Sequence, residues 1–538
     1  VTSACGQTLV AVTELDTDRE PPLTVYATTP PRGPAARRTG AAPATRRPGT
    51  APRSDGPDSA RARRGRTRAI APTALAVGAL TLLYLVLPGP EAGLPAEGRI
   101  TLVVFAGAVL AWTCTRWDDV FVSLAAALSL TLLGVLRPDE LFGALGDGVI
   151  WLLIAAFVLA AALTAAGLPD RLAVALLTRA GSVRGLAHLL TAALVVSALL
   201  VPATSGRAAL ALPVFLAVAR ALPGRERVVR ALSLLIPTVI LLSAVATLTG
   251  AGAHLITVEV LRTATGEGID FGGWLLAGLP LAVVGSHLAA ELVLLLMTRR
   301  ADRRRRLVLR QVDLVADGGS TPPRADRRAK SVAMLVCLIV LAWCTETWHG
   351  VEPALIALIG ALAVTAPGVG TVSLSPALRS VPWSLLLFMA ATAVLGGALL
   401  DSGAADWLMG TLLNGVAAGE ASAAGFLALV VVVSTAAHLV LQSRSARSSV
   451  LVPLLVPAAV VFGLNPAAVA FASTAAAGFC HTLPSSAKPV AMFADLGSLP
   501  GYGRRDLLRL SALLAPLLAA LVLGFAWFVW PHLGLPLR

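Results

Sequence analysis

Charge is scarce in this chain. Of its 538 residues only 14% are Asp, Glu, Lys or Arg, against about 25% in a soluble domain, and that deficit excludes a water-soluble fold of this length. Cysteine is thin as well. Cys5, Cys114, Cys337, Cys344 and Cys480 are scattered, mostly inside apolar runs and without metal-ligand spacing, so they read as buried thiols and not as a disulfide or zinc framework. There is no HExxH helix and no GxxxxGK[ST] phosphate loop, which removes a zinc hydrolase and a pump driven by its own nucleotide site. Acids fall mainly in polar loops, apart from Glu291, so no intramembrane carboxylate pair is available for acid–base chemistry. An enzyme is therefore not expected, and neither is a resident metal or cofactor.

What is present instead is apolar length. Hydrophobic residues are 56% of the chain, and windows of about 20 recur, each long enough to cross a hydrocarbon core about 30 Å thick. They lack the alternation of an outer-membrane barrel. The fold class is thus an all-α polytopic membrane protein, with the lipid bilayer as a partner. The net charge of +13 does not signal nucleic acid, because the arginines lie in the N-terminal tail and in loops between apolar segments, the distribution of cytoplasmic-side charge.

In order, the chain divides into five parts. Residues 1–68 form a basic Pro/Arg-rich tail, expected to be disordered and without the short apolar centre of a secretory signal. Residues 69–97 hold a first transmembrane helix, 98–297 a first transmembrane repeat, 298–330 a basic loop containing RRADRRRR, and 331–538 a second repeat. Each repeat has an apolar stretch interrupted near its middle, at 203–207 and at 443–447, which reads as a re-entrant hairpin. Each then has a helix broken by a small or polar run, TGAGAH at 249–254 and LPSSAKP at 483–489. Irregular backbone at that depth is tolerated where it is buried in protein or lines a cavity. The count is about eleven transmembrane helices plus two hairpins. With the N-terminus cytoplasmic, the basic loop, 225–230 and 504–505 fall on that side, and the acidic stretch 401–420 on the other. The hairpins then enter from opposite faces of the cytoplasmic membrane, and the two repeats are inverted.

The hairpin tips share a pattern. VPATSGRAALALPV at 201–214 and LQSRSARSSVLVPL at 441–454 each set small hydroxyl residues before an arginine, then an apolar run closing on proline. Arg207 precedes Pro213 by six positions and Arg447 precedes Pro453 by six, so the segments align without a gap. A charge at mid-bilayer costs roughly 2.5–3.5 kcal/mol on insertion scales and usually faces a cavity or a partner. Thr204, Ser205 and Arg207 from one tip, and Ser443, Arg444, Ser445 and Arg447 from the other, are therefore the candidate binding residues. Thr249, Gly250, His254, Ser485, Ser486 and Lys488 in the broken helices are candidate neighbours for substrate or a coupling ion. Guanidinium forks bind carboxylate, sulfate or phosphate, and the helix N-termini after the tips add their positive ends, so a small anionic partner is expected. Other roles stay open. Arg207 and Arg447 could cap carbonyls of the broken hairpins, and Arg444 could reach the headgroups. His254 and Lys488 could serve the unwound backbone, and His438 and His481 could be packed structural residues or proton carriers.

Three longer stretches carry a family resemblance: GDGVIWLLIAAFVLAAAL followed by GLPDRLA, DFGGWLLAGLPLAVV, and VPWSLLLFMAATAVLGGALLDSGAADWL. Over about residues 98–530 the chain resembles the divalent-anion/sodium symporter family of dicarboxylate and sulfate transporters, within the ion-transporter superfamily. That resemblance implies two inverted repeats with two re-entrant hairpins and two unwound helices, substrate on Ser-Asn-Thr tripeptides at the tips, sodium between each tip and the adjoining unwound loop, and a homodimer. Here the tripeptides are Ala203-Thr204-Ser205 and Ser443-Arg444-Ser445. The family's Gly-Thr-Pro-Pro-Asn loop becomes Gly250-Ala251-Gly252-Ala253-His254 and Ser486-Ala487-Lys488-Pro489-Val490. The asparagines are gone from all of these, and arginine stands where threonine follows each tripeptide. The expectation is a secondary active transporter of a small divalent anion, a dicarboxylate first, with weak or no sodium coupling and exchange, uniport or proton coupling instead. The alternatives are a sulfate or other oxyanion transporter and a non-transporting membrane sensor on the same fold.

Overall fold

The computed structural model describes residues 78–115, 117–304, 306–309, 327–368, 370–414, 422–494, 496–497 and 499–538. The tail at 1–68, the start of the first span and the middle of the basic loop lie outside the described residues. In chain order the helices that matter here are α1 (Ala96–Cys114), α2 (Asp119–Leu132), α3 (Gly148–Ala165), α4 (Leu168–Leu177), α5 (Val183–Leu200), α6 (Thr204–Arg220), α7 (Glu226–Leu242), α8 (Gly252–Thr265) and α9 (Phe271–Met297). The second half contributes α10 (Arg327–Cys344), α11 (Pro353–Thr365), α12 (Trp383–Asp401), α13 (Ala404–Asn414), α14 (Ala423–Ala436), α15 (Arg444–Val461), α16 (Pro466–Ala477), α17 (Lys488–Ala494) and α18 (Arg504–Phe528). Among the described residues the only extended pairing is an isolated bridge between Ser182 and Arg306. The all-α polytopic reading holds.

The starts of the helices are local chemistry. Asp118 accepts from the amides of Val120 and Phe121, Asp147 from Val149, Ser182 from Gly185, Asp270 from Gly273, Ser422 from Gly425 and Asn465 from Ala467. Each occupies amide groups that a helix start leaves without partners. Eight helical stretches among the described residues are long and apolar enough to cross a membrane, and four shorter apolar helices accompany them. Most keep a lipid-facing side, with large apolar residues such as Leu132, Ile359 and Val461 well exposed. The stretch Glu226–Ala246 does not: 94% of its apolar window is buried inside the protein. A helix apolar all round belongs in the centre, and α7 is that central helix.

The breaks read from the sequence are real breaks in the helices. Between α5 and α6 the chain turns through Ala203, which has φ 68° and ψ 135° and is the one non-glycine residue with positive φ among those described. That conformation costs an L-residue roughly 1–3 kcal/mol. Ala203→Gly is expected to raise the melting stability by about 1 kcal/mol, measured on purified protein; an unchanged or lower melting temperature would show that the turn is not strained. Between α14 and α15 the chain passes through a short 3-10 turn, Ala437–Leu439, to Ser443, the N-cap of α15.

The two unwound stretches are conformational copies. Thr247 (φ −133°, ψ 152°) and Ala251 (φ −156°, ψ 147°) flank the 3-10 turn Leu248–Gly250. Leu483 (φ −124°, ψ 147°) and Ala487 (φ −157°, ψ 146°) flank Pro484–Ser486 in the same way. Glycine is required once in the first copy, since a Cβ at Gly250 would lie 2.1 Å from the Ala244 carbonyl oxygen. Packing across the halves is reciprocal. The helix after the first unwound stretch, α8, lies against α15 of the second tip, and the helix after the second, α17, lies against α6 of the first tip. The tips and the unwound stretches are thereby gathered around one space.

Charge separates the two ends of the helices. Connections at 181–182, 225–230, 306–307 and 501–506 are tied together by Leu307 N to Gly181 O (3.1 Å), Arg225 Nη2 to Arg306 O (3.3 Å), Arg230 Nε to Gly501 O (3.1 Å) and the Arg230–Asp506 ion pair (3.4 Å). This is the arginine-rich end. At the other end Arg262 sits between Asp147 (2.8 Å) and Glu259 (2.9 Å).

Candidate functional site

A cavity of about 950 Å³ lies between the two tips. Thr204 and Ser205 line it from the first tip, Ser443, Arg444, Ser445 and Arg447 from the second, and Ser486 and Lys488 from the second unwound stretch. Ala251 and Gly252 bring the first unwound stretch to the same wall, where a Cβ on Gly252 would lie 3.2 Å from Ser445 Oγ. The remaining lining includes Asp119, Thr164, Ser380 and Ser384 at helix ends. Both α6 and α15 therefore aim the amides of their first turns into one space, the arrangement that favours an anion.

Arg444 and Arg447 are the first and fourth residues of α15, so they share a face. Arg447 has no solvent exposure, and among the described residues its guanidinium makes one hydrogen bond, Nη1 to the Phe479 carbonyl at 3.3 Å, with Cys480 beside it. Its Nε and Nη2 have no partner. Arg444 donates through Nη2 to Leu241 O (3.3 Å) and Gly478 O (3.1 Å), and its Nη1 has no partner. A separate void of about 30 Å³ beside Arg444, bounded also by His254 and Thr474, is large enough for one water. No ion pair to either arginine occurs among the described residues. Two cations side by side in the cavity wall, with three donor nitrogens lacking a hydrogen-bond partner among the described residues, are a costly arrangement that an anion would relieve.

Arg207, expected to pair with Arg447 at one site, is placed differently. Arg207 is absent from the cavity lining. It is 1% exposed, with Nε to Ser197 Oγ at 3.2 Å, Nη1 to Ile240 O at 3.1 Å, and Nη2 to Leu194 O at 2.7 Å and Ser243 Oγ at 2.5 Å. Its donors are spent on the first hairpin and on the end of α7. The reason is in the neighbours. Pairing Arg207 with Arg447 sets Ala437 opposite Ser197, and pairing Ala251 with Ala487 sets Phe479 opposite Ser243. The two hydroxyls that occupy Arg207 have no counterpart around Arg447.

His254 also lies away from the cavity. Its Nδ1–H donates to the Thr247 carbonyl at 2.9 Å, and its ring stacks on Trp274 at 5.0 Å. Trp274 in turn donates to Val245 O at 3.0 Å. The pair supplies donors to carbonyls that the unwinding of α7 leaves free. Thr249 and Gly250 are buried within the stretch and do not reach the cavity. The side chain of Ser485 lies outside the described residues. Ser486 lines the cavity while its hydroxyl accepts from Leu483 N at 3.0 Å. His438 donates from Nδ1 to Thr435 O at 2.6 Å, which fixes Nε2 as acceptor for Thr482, 2.7 Å away, in the neutral ring.

Asp119, Gln442 and Cys480 are in the lining but were not singled out from the sequence. Gln442 adjoins the second tip and was within reach of motif reading. Asp119 resembles any acid at the start of a span, and only the packing of α2 brings it to the cavity.

Comparison with known proteins agrees with this architecture. A solved transporter, YdaH of Alcanivorax borkumensis, shares the fold with TM-score 0.51 at 18% identity, covering 80% of this chain and 99% of that one. A membrane protein of Cupriavidus necator is 27% identical over 410 residues, which is 71% of this chain and 77% of the relative. The sodium-dependent dicarboxylate transporter SdcS of Staphylococcus saprophyticus is 21% identical over 427 residues, 74% of this chain and 80% of the relative. The dicarboxylate transporter among these relatives supports the symporter-family resemblance. The sequence matches the citrate transporter family over residues 103–476. With that match spanning more than two thirds of its length, and two helix tips converging on unpaired arginines, the chain belongs to the citrate transporter family of multi-pass membrane proteins that carry anions.

Proposed function

We propose that the protein is a secondary active transporter of a small dicarboxylate, with citrate as the next candidate substrate, and that it works with weak or no sodium coupling. The observation that carries the reading is Arg447, a buried guanidinium at the cavity wall with Nε and Nη2 unpartnered. Those two nitrogens form one edge of the fork, which matches the two oxygens of a carboxylate. Arg444 and Lys488 supply charge for a second carboxylate, and Thr204, Ser205 and Ser445 supply hydroxyls. A cavity of about 950 Å³ exceeds what a tetrahedral oxyanion needs, which favours a carboxylate over sulfate.

The sodium-dependent relative makes weak sodium coupling a departure, and the residues give its reason. Asparagine is absent from both tips and both unwound stretches, and His254 is committed to the Thr247 carbonyl. A resident guanidinium supplies the positive charge that a carried cation supplies elsewhere; exchange or a proton then provides the coupling.

In the proposed topology the arginine-rich end faces the cytoplasm, together with the N-terminus, in the cytoplasmic membrane. The two broken hairpins are re-entrant and enter from opposite faces, giving two inverted repeats and about eleven crossings. The functional unit is a homodimer. Matching dihedral angles in the two unwound stretches and the reciprocal packing of α8 on α15 and α17 on α6 support this arrangement.

Melting of the purified protein tests the substrate and the coupling together. A ligand at a hundred times its Kd stabilises by about 2.7 kcal/mol. Succinate and citrate are expected to raise the melting temperature equally in sodium chloride and in choline chloride, with sulfate weaker. Stabilisation that needs sodium would reject the weak-coupling claim, and no response to any carboxylate would reject the substrate class.

A further inference from the structure

Glu291, the acid set apart in the sequence by lying inside an apolar run, stands in a cluster that the anion cavity does not use. On α9 it accepts from Arg184 Nε at 2.6 Å and meets His188 Nε2 at 2.5 Å, both on α5. His188 Nδ1 lies 2.8 Å from Nδ1 of His287, one turn before Glu291 on α9. The two ring planes differ by 28° with centroids 5.1 Å apart, so the rings meet edge to edge, nitrogen to nitrogen. None of the four residues lines the cavity. The side chain of Arg184 is 63% exposed, those of His188 and Glu291 are 30% and 29% exposed, and Leu288 and Leu295 beside them are exposed as well. The cluster therefore lies on the outer surface of the helices, about 8 Å from the arginine-rich start of α5.

The proton positions follow from the partners. Glu291, ionised beside Arg184, only accepts, so His188 Nε2 carries a hydrogen. In the neutral ring His188 Nδ1 is then an acceptor, and His287 Nδ1–H donates to it. His287 Nε2 is left bare, with no hydrogen bond among the described residues. A proton arriving there lets the Nδ1 proton pass to His188, where the imidazolium lies against the Glu291 carboxylate. A second arrival would set N–H against N–H across 2.8 Å, so the two rings hold one extra proton. A metal ion fits poorly, because His287 meets Nδ1 of His188 while Glu291 meets its Nε2, and the three side chains do not converge on one point. Helices α4, α6, α7, α10, α18 and 300–304 also pack on α5 or α9, as does the turn 530–533. Arg303 donates to Leu294 O, one turn beyond Glu291, at 3.3 Å. His532 belongs to the far end of α9, where Trp530 donates to Ala277 O. Among the described residues, no charged group of these elements hydrogen-bonds or ion-pairs with the four side chains.

We propose that His188 and His287 form a binding site for one proton, with Glu291 as its counter-charge, and that its occupancy biases the first hairpin. The stem of that hairpin is α5: six and nine residues beyond His188, Leu194 O and Ser197 Oγ hold Arg207 of the tip. The proton turns a neutral cluster into a cationic one on a face with exposed apolar side chains. A cation is costly in hydrocarbon and tolerated at anionic headgroups. Proton binding and the depth at which α5 and α9 lie in the bilayer are thereby linked, each biasing the other. The inference goes beyond the anion reading, since the site lies apart from the cavity and needs no anion to fill.

The test uses the full chain with ring-labelled histidine in lipid nanodiscs, a chelator present, and follows the ring nitrogen signals by NMR from about pH 8 to pH 5. Signals lost in His188→Asn and in His287→Asn assign the pair. If either variant fails to fold, Glu291→Gln still identifies the two rings whose signals respond to it. Both rings are expected to change over one shared transition and to take up one proton between them. Glu291→Gln is expected to weaken that uptake about tenfold. Independent titration of the two rings, uptake of two protons, or no uptake across the range overturns the proton site. Succinate exchange by proteoliposomes over the same range reads the bias on the hairpin. The ratio of wild-type to His287→Asn rates, in which the titration of succinate itself cancels, is expected to change about fivefold. A constant ratio overturns the bias. No exchange by wild type at any pH rejects the transport reading instead, and the ring signals still decide the proton site.

Discussion

Arg207→Met is expected to yield little folded protein. Removing the guanidinium strips donors from the carbonyls of Leu194 and Ile240 and from the hydroxyls of Ser197 and Ser243, all joined to Arg207 inside the first half. Ile240 lies in the last turn of α7, where the unwinding after Leu242 removes its helical donor. Ser197 and Ser243 keep their own acceptors, Leu194 O and Val239 O, so the loss is the hydrogen bonds of a charged donor, about 1.5–3 kcal/mol each, with the Ile240 carbonyl left bare; together they rival the 5–15 kcal/mol that holds a typical domain folded. Lysine is not a replacement, since a single ammonium cannot reach acceptors on α5 and α7 at once. Size-exclusion profile and melting temperature are the readouts. A well-folded Arg207→Met that no longer responds to anions would return Arg207 to the binding site, and with it the symmetric pair expected from the sequence.

Arg447→Gln is expected to do the opposite, keeping the fold and losing the ligand. Arg447 gives the fold one hydrogen bond, at 3.3 Å, and brings two idle nitrogens into a buried wall. Replacing an uncompensated buried charge by a neutral amide is neutral or stabilising for the empty protein. For a bound anion, loss of one partner from a buried charge pair costs 2–5 kcal/mol or more, at least about thirtyfold in affinity. The ligand-free variant should therefore melt at or above wild type, while the shift given by succinate disappears. A ligand-free melting temperature far below wild type would show that Arg447 is a structural clamp like Arg207.

The contrast between these two arginines marks how far the sequence could be read. Breaks in apolar runs are local signals. A Gly-rich run at 249–254, a Pro-flanked run at 483–489 and hydroxyl–arginine tips at 203–207 and 443–447 interrupt hydrophobic sequence, and the helices break there. The convergence of Thr204, Ser205, Ser443, Arg444, Ser445, Ser486 and Lys488 on one cavity follows from those breaks. Which arginine faces the cavity does not. Arg207 and Arg447 are each the fourth residue of their helix, and their roles are separated by Ser197 and Ser243 on one side and Ala437 and Phe479 on the other. Those positions are distant in sequence, and their relevance appears only once α5, α6 and α7 are packed. His254 is similar: its partner is a carbonyl freed by unwinding, and no side-chain pattern announces a free carbonyl. Asp119 was hidden for the same reason, since it reaches the cavity only through the packing of α2.

Exchange of labelled succinate across proteoliposomes, with wild type and Arg447→Gln measured side by side in choline buffer, tests the central claim most directly. The account predicts exchange by wild type without sodium and only background exchange by Arg447→Gln, although both proteins are folded and inserted in equal amount. Succinate exchange by Arg447→Gln at the wild-type rate would contradict it, because the anion would then be moving without the guanidinium edge that the account assigns to it.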